Sequence, residues 1–293
     1  MSVQFGITIP HFGRNAQPGM VEQVAREAEA MGFESVWASD HVIVPVGEGY
    51  IPHYFYDPLV VMTAAAAVTE SIEIGVSVLV IPYRDPVVTA KMLATMDQMS
   101  RGRMILGTGV GWLEQEFDAL NADFHARGAQ CDEYLDVMQA LWTSDPTSFE
   151  GRWTNFTEMR QNPKPVRSPF PIWVGGNGPP AIKRAAERGT GWHPINLPLA
   201  EFGAGVEAYH AACRDNGVLM GPVCLRSMPA GRGVPEGIES VPFTGSAGQV
   251  AEDIYAYAEA GMTHILFSPP VSDVEELLGE MRVIANEVRP LAT

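Results

Sequence analysis

IEIGVSVLVIPYRDPVVTAKMLATMDQMSRGRMILGTG, residues 72–109, is the stretch whose reading decides the fold. Its first ten residues, Ile72–Ile81, are apolar almost without a break, as in a strand buried on both faces of a parallel sheet. A helix is expected over Pro86–Met99, and Arg103–Gly109 reads as a second buried strand. Strand, helix and strand in this order form a crossover unit, which is how parallel neighbours are joined.

The same alternation extends in both directions. Upstream lie a strand at Gln4–Pro10, a helix marked by Met20, Val24, Ala28 and Met31 and closed by Gly32, a strand at Ser35–Ala38 and a helix over Pro58–Val68. Downstream, Tyr134, Leu135, Met138, Leu141 and Trp142 mark a long helix. Then come strands at Pro171–Gly175, Thr190–Ile195, Pro222–Met228 and Thr263–Phe267. Helices over Pro179–Arg188, Leu199–Asn216, Ser246–Glu259 and Val274–Val288 follow them in turn. Eight β-then-α units predict an α/β fold, a closed (β/α)8 TIM barrel, as a single domain over residues 1–293. The segment 145–168, rich in Pro, Thr, Arg and Asn, is too long for an ordinary loop, and we expect an insertion or lid over the C-terminal mouth.

Composition excludes several partners. The chain has 19 basic against 35 acidic residues, a formal charge of −16 that repels nucleic-acid phosphates. No apolar run approaches the roughly 20 residues of a membrane span. Cys131, Cys213 and Cys224 are too scattered for a disulfide framework, and no histidines sit at metal-ligand spacing, so no metal is expected. With a first strand starting at about residue 4, no signal peptide is expected, and a cytoplasmic location follows.

In a barrel the chemistry sits at the C-terminal strand ends. His11 follows the first strand, and Asp40-His41 the second. A carboxylate beside an imidazole can hold its tautomer and supply an acid or base near neutral pH; a capping Asp40 with a surface histidine is the plainer alternative. Gly175-Gly176-Asn177-Gly178 enters a helix, so its amides make an anion site, with Lys183 and Arg184 close behind, or the run is simply a glycine-rich turn. The glycines of GTGVGW, residues 107–112, admit something flat or relieve crowding in the barrel. Trp112 beyond them walls a ligand or joins the core. Glu114 and Glu116 open the next helix, where carboxylates suit the helix dipole whatever the function.

Together these pieces resemble the luciferase-like monooxygenase family, in its branch using the deazaflavin coenzyme F420. The matching elements are FGITIP (5–10), SVWASDHV (35–42), the run from Ile74 to Trp112, PIWVGGNGPPAIKRAAERGTGW (171–192) and VAEDIYAYAEAGMTHI (250–265). The resemblance implies a flavin or deazaflavin at the barrel mouth. It implies His41 as proton donor or base beside Asp40, a strand bulge with a cis peptide at Ser77-Val78, and ring contacts from the backbone of Thr108 and Gly109. It also implies an amide side chain at Gln115, a phosphate loop at Gly175–Gly178 and a homodimer formed through barrel helices. Sugar-phosphate dehydrogenases of this branch carry a glutamate where this chain has Trp112. A more apolar substrate pocket is therefore expected, with His11, Trp112, Trp192 and His193 and with Trp153 and Phe156 as further aromatics.

The function implied is hydride transfer between the deazaflavin C5 and a small organic substrate. An FMN-dependent two-component monooxygenase, a non-catalytic flavin-binding protein and an unrelated barrel acting on phosphorylated substrates are the alternatives.

Overall fold

The computed structural model describes residues 3–48, 51–228, 242–269, 271 and 273–292. The chain runs β1 (Gln4–Thr8), α1 (Met20–Ala30), β2 (Ser35–Ala38), α2 (Pro58–Ala67), β3 (Glu73–Val80), α3 (Pro86–Met99) and β4 (Met104–Gly109). It continues with α4 (Glu114–Ala119), α5 (Arg127–Thr143), β5 (Thr147–Glu150), β6 (Asn155–Met159), β7 (Ile172–Gly175) and α6 (Pro179–Arg188). Last come β8 (Gly191–His193), α7 (Leu199–Asp215), β9 (Cys224–Ser227), α8 (Ala247–Glu259), β10 (His264–Phe267) and α9 (Val274–Val283).

Eight parallel strands form one sheet in the order β8-β7-β4-β3-β2-β1-β10-β9. Its two ends meet through single parallel bridges, Trp192 to Val223 and Ile195 to Arg226, which close the (β/α)8 barrel. Pro194 and Pro222 lie at this seam and accept from the Arg226 and Trp192 amides. Proline has no N–H to return, so the seam stays thin. Two helices start alike for a local reason: Asp57 caps α2, Asp85 caps α3, and a proline follows each where no amide is needed. Inside the barrel Trp37, Ile105, Trp173, Cys224 and Leu266 pack as one cluster. A Cβ on Gly75 would lie 2.2 Å from the Trp37 ring, so the glycine makes room for the indole.

Segment 145–168 departs from expectation. It holds an antiparallel hairpin, β5 with β6, strapped to the outer flank of α3 and α5. Glu133 of α5 accepts from the amides of Arg152, Trp153 and Thr154. Asp97 of α3 accepts from those of Val166 and Arg167, and Lys164 donates to the Leu141 and Ser144 carbonyls. None of its residues lines the cavity at the mouth, which corrects the placement over the opening. The reason is direction: α5 runs antiparallel to the strands, so the insertion leaves it at the end of the barrel away from the mouth. Trp153 and Phe156 go with it, Phe156 stacked on Phe149 at 6.3 Å and Trp153 under the Arg152 guanidinium, and neither reaches the mouth.

Candidate active site

At the C-terminal strand ends a cavity of about 370 Å³ opens between β2, β3, β4 and β7. Val78 forms one wall. The β3–β4 register slips between Val76 and Leu79, and the Ser77–Val78 peptide is cis, so the bulge turns Val78 into the opening. Cβ atoms on Gly109 and Gly175 would each come within 2.6 Å of a Val78 methyl, so both glycines are required by the side chain seated between them.

His41 lies on the rim with its Nδ1 3.0 Å from Glu116 Oε2. Glu116 is fully buried and also accepts from the Val42 and Ile43 amides and the Tyr83 hydroxyl. Burial alone would raise its carboxyl, but the bonds from His41 and the two amides outweigh that and hold it below the ordinary range. An ionised Glu116 can only accept, so His41 carries its proton on Nδ1 and presents Nε2 to the cavity. The Tyr83 hydroxyl, buried against that carboxylate, is pushed upward and stays protonated.

Asp40 has a different task from the one its position beside His41 suggests. Its carboxylate accepts a forked pair from Arg84, at 2.5 and 2.8 Å, and the Val80 amide at 2.9 Å. Burial raises the Asp40 carboxyl while Arg84 and Val80 act against it. Arg84 also reaches Asp57, so the network ties the ends of β2 and β3 to the start of α2. The orienting carboxylate for His41 is Glu116, which the sequence reading assigned to the helix dipole. A carboxylate therefore does reach the histidine, although Trp112 stands where sugar-phosphate dehydrogenases carry theirs.

Two further histidines are structural. His11 Nδ1 donates to the Ile9 carbonyl while Nε2 accepts from the Ser39 amide and hydroxyl. Burial pushes it down to about 3, and its side chain lies outside the mouth cavity, a correction to its expected place. His193 lines the floor: Nδ1 donates to the Cys224 carbonyl at 2.6 Å, Nε2 accepts from Ser77 Oγ at 2.7 Å, and burial lowers it to about 4.

The family model for luciferase-like monooxygenases matches residues 3–232. The chain belongs to the luciferase-like monooxygenase family. An uncharacterized protein of Mycobacterium tuberculosis, Rv0953c, is 30% identical over 280 residues, covering 90% of this chain and 92% of its own. The F420-dependent glucose-6-phosphate dehydrogenase of Amycolatopsis mediterranei is 33% identical over 194 residues, 65% of this chain and 55% of that one. Among solved structures, the oxygenating constituent of 3,6-diketocamphane monooxygenase from Pseudomonas putida, in complex with FMN, superposes with a TM-score of 0.79 at 19% identity over 99% of both chains. The protein is an oxidoreductase of this family.

Other residues of this luciferase-like barrel fall in mixed places. Gly109, Gly175, Gly176 and Trp112 line the cavity; Trp112 is 60% exposed and edge-on to His41 at 6.3 Å. Asn177 and Gly178 are exposed beside it, and the Asn177 amide exchanges hydrogen bonds with the backbone of Ile195. Lys183 pairs with Glu187 and Arg184 with Asp132, so neither is committed to the glycine loop. Two expectations are corrected. Gln115 sits on the exposed side of α4, while its neighbour Glu116 faces the site. Trp192 is buried outside the barrel, stacked on Phe202 of α7 at 6.1 Å, because strand side chains alternate and His193 takes the inward position. Thr108 turns its side chain outward to the Cys131 thiol on α5, which leaves only its backbone toward the barrel end. Sequence reading missed Glu116, Tyr83, Arg84 and Arg226. Strand parity offered a signal for Trp192, but Glu116 had none beyond its helix.

Proposed function

We propose that this oxidoreductase binds F420 in the mouth cavity and moves a hydride between the deazaflavin C5 and a small, rather apolar organic substrate. The observation that carries this reading is the His41–Glu116 pair facing a cavity walled by Val78 and two glycines. The residues fit a flat ring: Val78 projects between Gly109 and Gly175, and the bare backbone of Gly109, Gly111, Gly175 and Gly176 leaves a slot beside it. The amides of Gly176–Gly178, ahead of α6, would hold the cofactor's phosphate. Two prolines open that helix, so the loop rather than the first turn supplies the donors.

When bound, the deazaflavin supplies or takes the hydride. Glu116 fixes the tautomer of His41, and His41 Nε2 gives or takes the accompanying proton. Glu116 also stabilises the imidazolium whenever Nε2 is protonated. Trp112 and Val78 limit water at the rim and the wall. His11 and His193, held neutral, fix the backbone beneath.

A two-component monooxygenase using FMN is the second reading, favoured by the FMN-bound structure that shares this barrel. Side-by-side titration with F420 and FMN, followed by tryptophan fluorescence, separates them. Binding of F420 at micromolar concentration without binding of FMN supports the first reading, and the reverse, with oxygen consumed in turnover, supports the second. Binding of neither overturns both. Partners are confined to small molecules and a second copy of the chain, the homodimer forming through α2 and α3, whose outer faces expose Val60, Val88 and Met92. No helix among the described residues is long and apolar enough to cross a membrane. We place the enzyme in the cytoplasm.

A further inference from the structure

Arg226, near the end of β9, forms the partition between the mouth cavity and a smaller one of about 250 Å³ at the ends of β1, β9 and β10. The walls of the smaller cavity are apolar, with Ile9, Pro10, Phe12 and Leu277 among them. Its polar lining is Arg226, the hydroxyls of Thr8 and Ser268, and Asn15, whose amide nitrogen donates to the Val271 carbonyl.

The donors there outnumber the acceptors. Arg226 Nη1 donates to the Ser77 carbonyl at 2.5 Å and Nε to Ser268 Oγ at 3.2 Å. Nη2 has no acceptor, and no carboxylate pairs with the guanidinium, among the described residues. The Thr8 and Ser268 oxygens lie 2.7 Å apart, so one hydroxyl donates to the other. The second hydroxyl proton has no acceptor among the described residues, whichever way the pair is oriented. Elsewhere around the mouth the carboxylates are satisfied: Asp40 by Arg84, and Glu116 by its four donors. His11 and His193 face Arg226 as neutral rings. Arg226 thus has no carboxylate beside it among the described residues, in a protein of net charge −16. A half-buried guanidinium with an unused N–H group gains from a ligand that supplies an anionic acceptor.

We propose that the smaller cavity binds an organic carboxylate, its head on Arg226 Nη2 and the spare hydroxyl proton, its apolar body against Ile9, Phe12 and Leu277. The ligand class is a small carboxylic acid with a hydrocarbon body, held across the Arg226 partition from the mouth cavity, and the site does not depend on the reading of the mouth cavity as the reaction site.

Ligand-observed NMR titration of the cofactor-free protein tests this with hexanoate, acetate, hexanamide and inorganic phosphate. Hexanoate is expected to bind at least tenfold more tightly than acetate, because each buried methylene contributes about fourfold. It should also bind at least tenfold more tightly than hexanamide, which lacks the charge. Arg226→Gln should weaken hexanoate about tenfold to a hundredfold, and Arg226→Lys, which keeps the charge and serves if the glutamine variant does not fold, by less than about tenfold. Equal binding of hexanamide and hexanoate overturns the proposal, as does unchanged binding in Arg226→Gln or phosphate binding more tightly than hexanoate. Because no cofactor is present, failure here leaves the F420 titration intact, and failure of that titration leaves this result standing.

Discussion

At the residue scale the site turns on His41 Nε2. Its only side-chain hydrogen-bond partner among the described residues is Glu116, at Nδ1. Replacing His41 by Ala removes the proton carrier and leaves Val78 and the glycines in place. Turnover should fall about 10²- to 10⁴-fold while F420 affinity changes by no more than a few fold. Steady-state kinetics beside a fluorescence titration decides it, and equal turnover in the variant removes His41 from the reaction. The residue scale is also where sequence adjacency misled. Asp40 and His41 are neighbours in the chain, yet their side chains go to different partners, Asp40 to Arg84 and His41 to a carboxylate 75 positions away.

The elements show which of several similar-looking glycines matter. In the loop after β7, a Cβ on Gly175 would strike Val78 at 2.6 Å and the Thr108 carbonyl at 3.0 Å, whereas one on Gly178 would meet nothing closer than 3.7 Å. Gly175→Ala should therefore push Val78 into the cavity and weaken F420 binding by about tenfold or more, with Gly178→Ala within a few fold of wild type. Equal effects in a fluorescence titration would mean that the loop acts through its flexibility instead. A second element-scale prediction concerns the junction of α1 with the start of β3. Glu29 accepts from the amides of Glu70, Ser71 and Ile72 and from the Ser71 hydroxyl. Burial alone would raise its carboxyl, but these donors prevail and lower it from 4.5 to about 2. A depressed carboxylate stabilises the fold fully above its unfolded pKa, and the contribution is lost as pH falls from about 4.5 through about 2. Glu29→Gln should thus cost about 1 kcal/mol at neutral pH, reduced by its partial exposure, and nothing by about pH 2. Urea unfolding of both proteins across that range measures it.

Two consequences belong to the whole molecule. F420 is an anion, so a protein of net charge −16 repels it at a distance whatever the loop does close by. Raising the ionic strength should increase the association rate, measured by stopped-flow quenching, because salt screens the long-range repulsion. A rate that falls with salt would instead place a positive field over the mouth. The proposed dimer makes the second prediction. Val88 on α3 is 57% exposed, so Val88→Asp leaves the barrel core untouched and should convert dimer to monomer in light-scattering chromatography. A monomeric wild type refutes the proposed association.

The barrel was legible because its cause is local and repetitive: apolar runs, helical spacing and capping residues act within about ten positions, and eight repeats leave few topologies open. The strand order, the glycine cap after α1 and the glycine-rich strand ends could all be read from the chain for that reason, whereas strands expected at Thr190–Ile195 and Pro222–Met228 are shorter, Gly191–His193 and Cys224–Ser227. Three things were decided only in the tertiary structure. The flank position of residues 145–168 follows from the direction of α5 and from the carboxylates of Glu133 and Asp97 on neighbouring helices. Strand parity requires Trp192 and His193 to face opposite ways, but which of them faces inward was fixed by the seam with β9. The choice of Glu116 over Asp40 as the partner of His41, and the isolation of Arg226, depend on which charges from separate elements converge in three dimensions. Linear order carries no record of those distances, and a charge acts over a few ångströms of space rather than a few residues of chain.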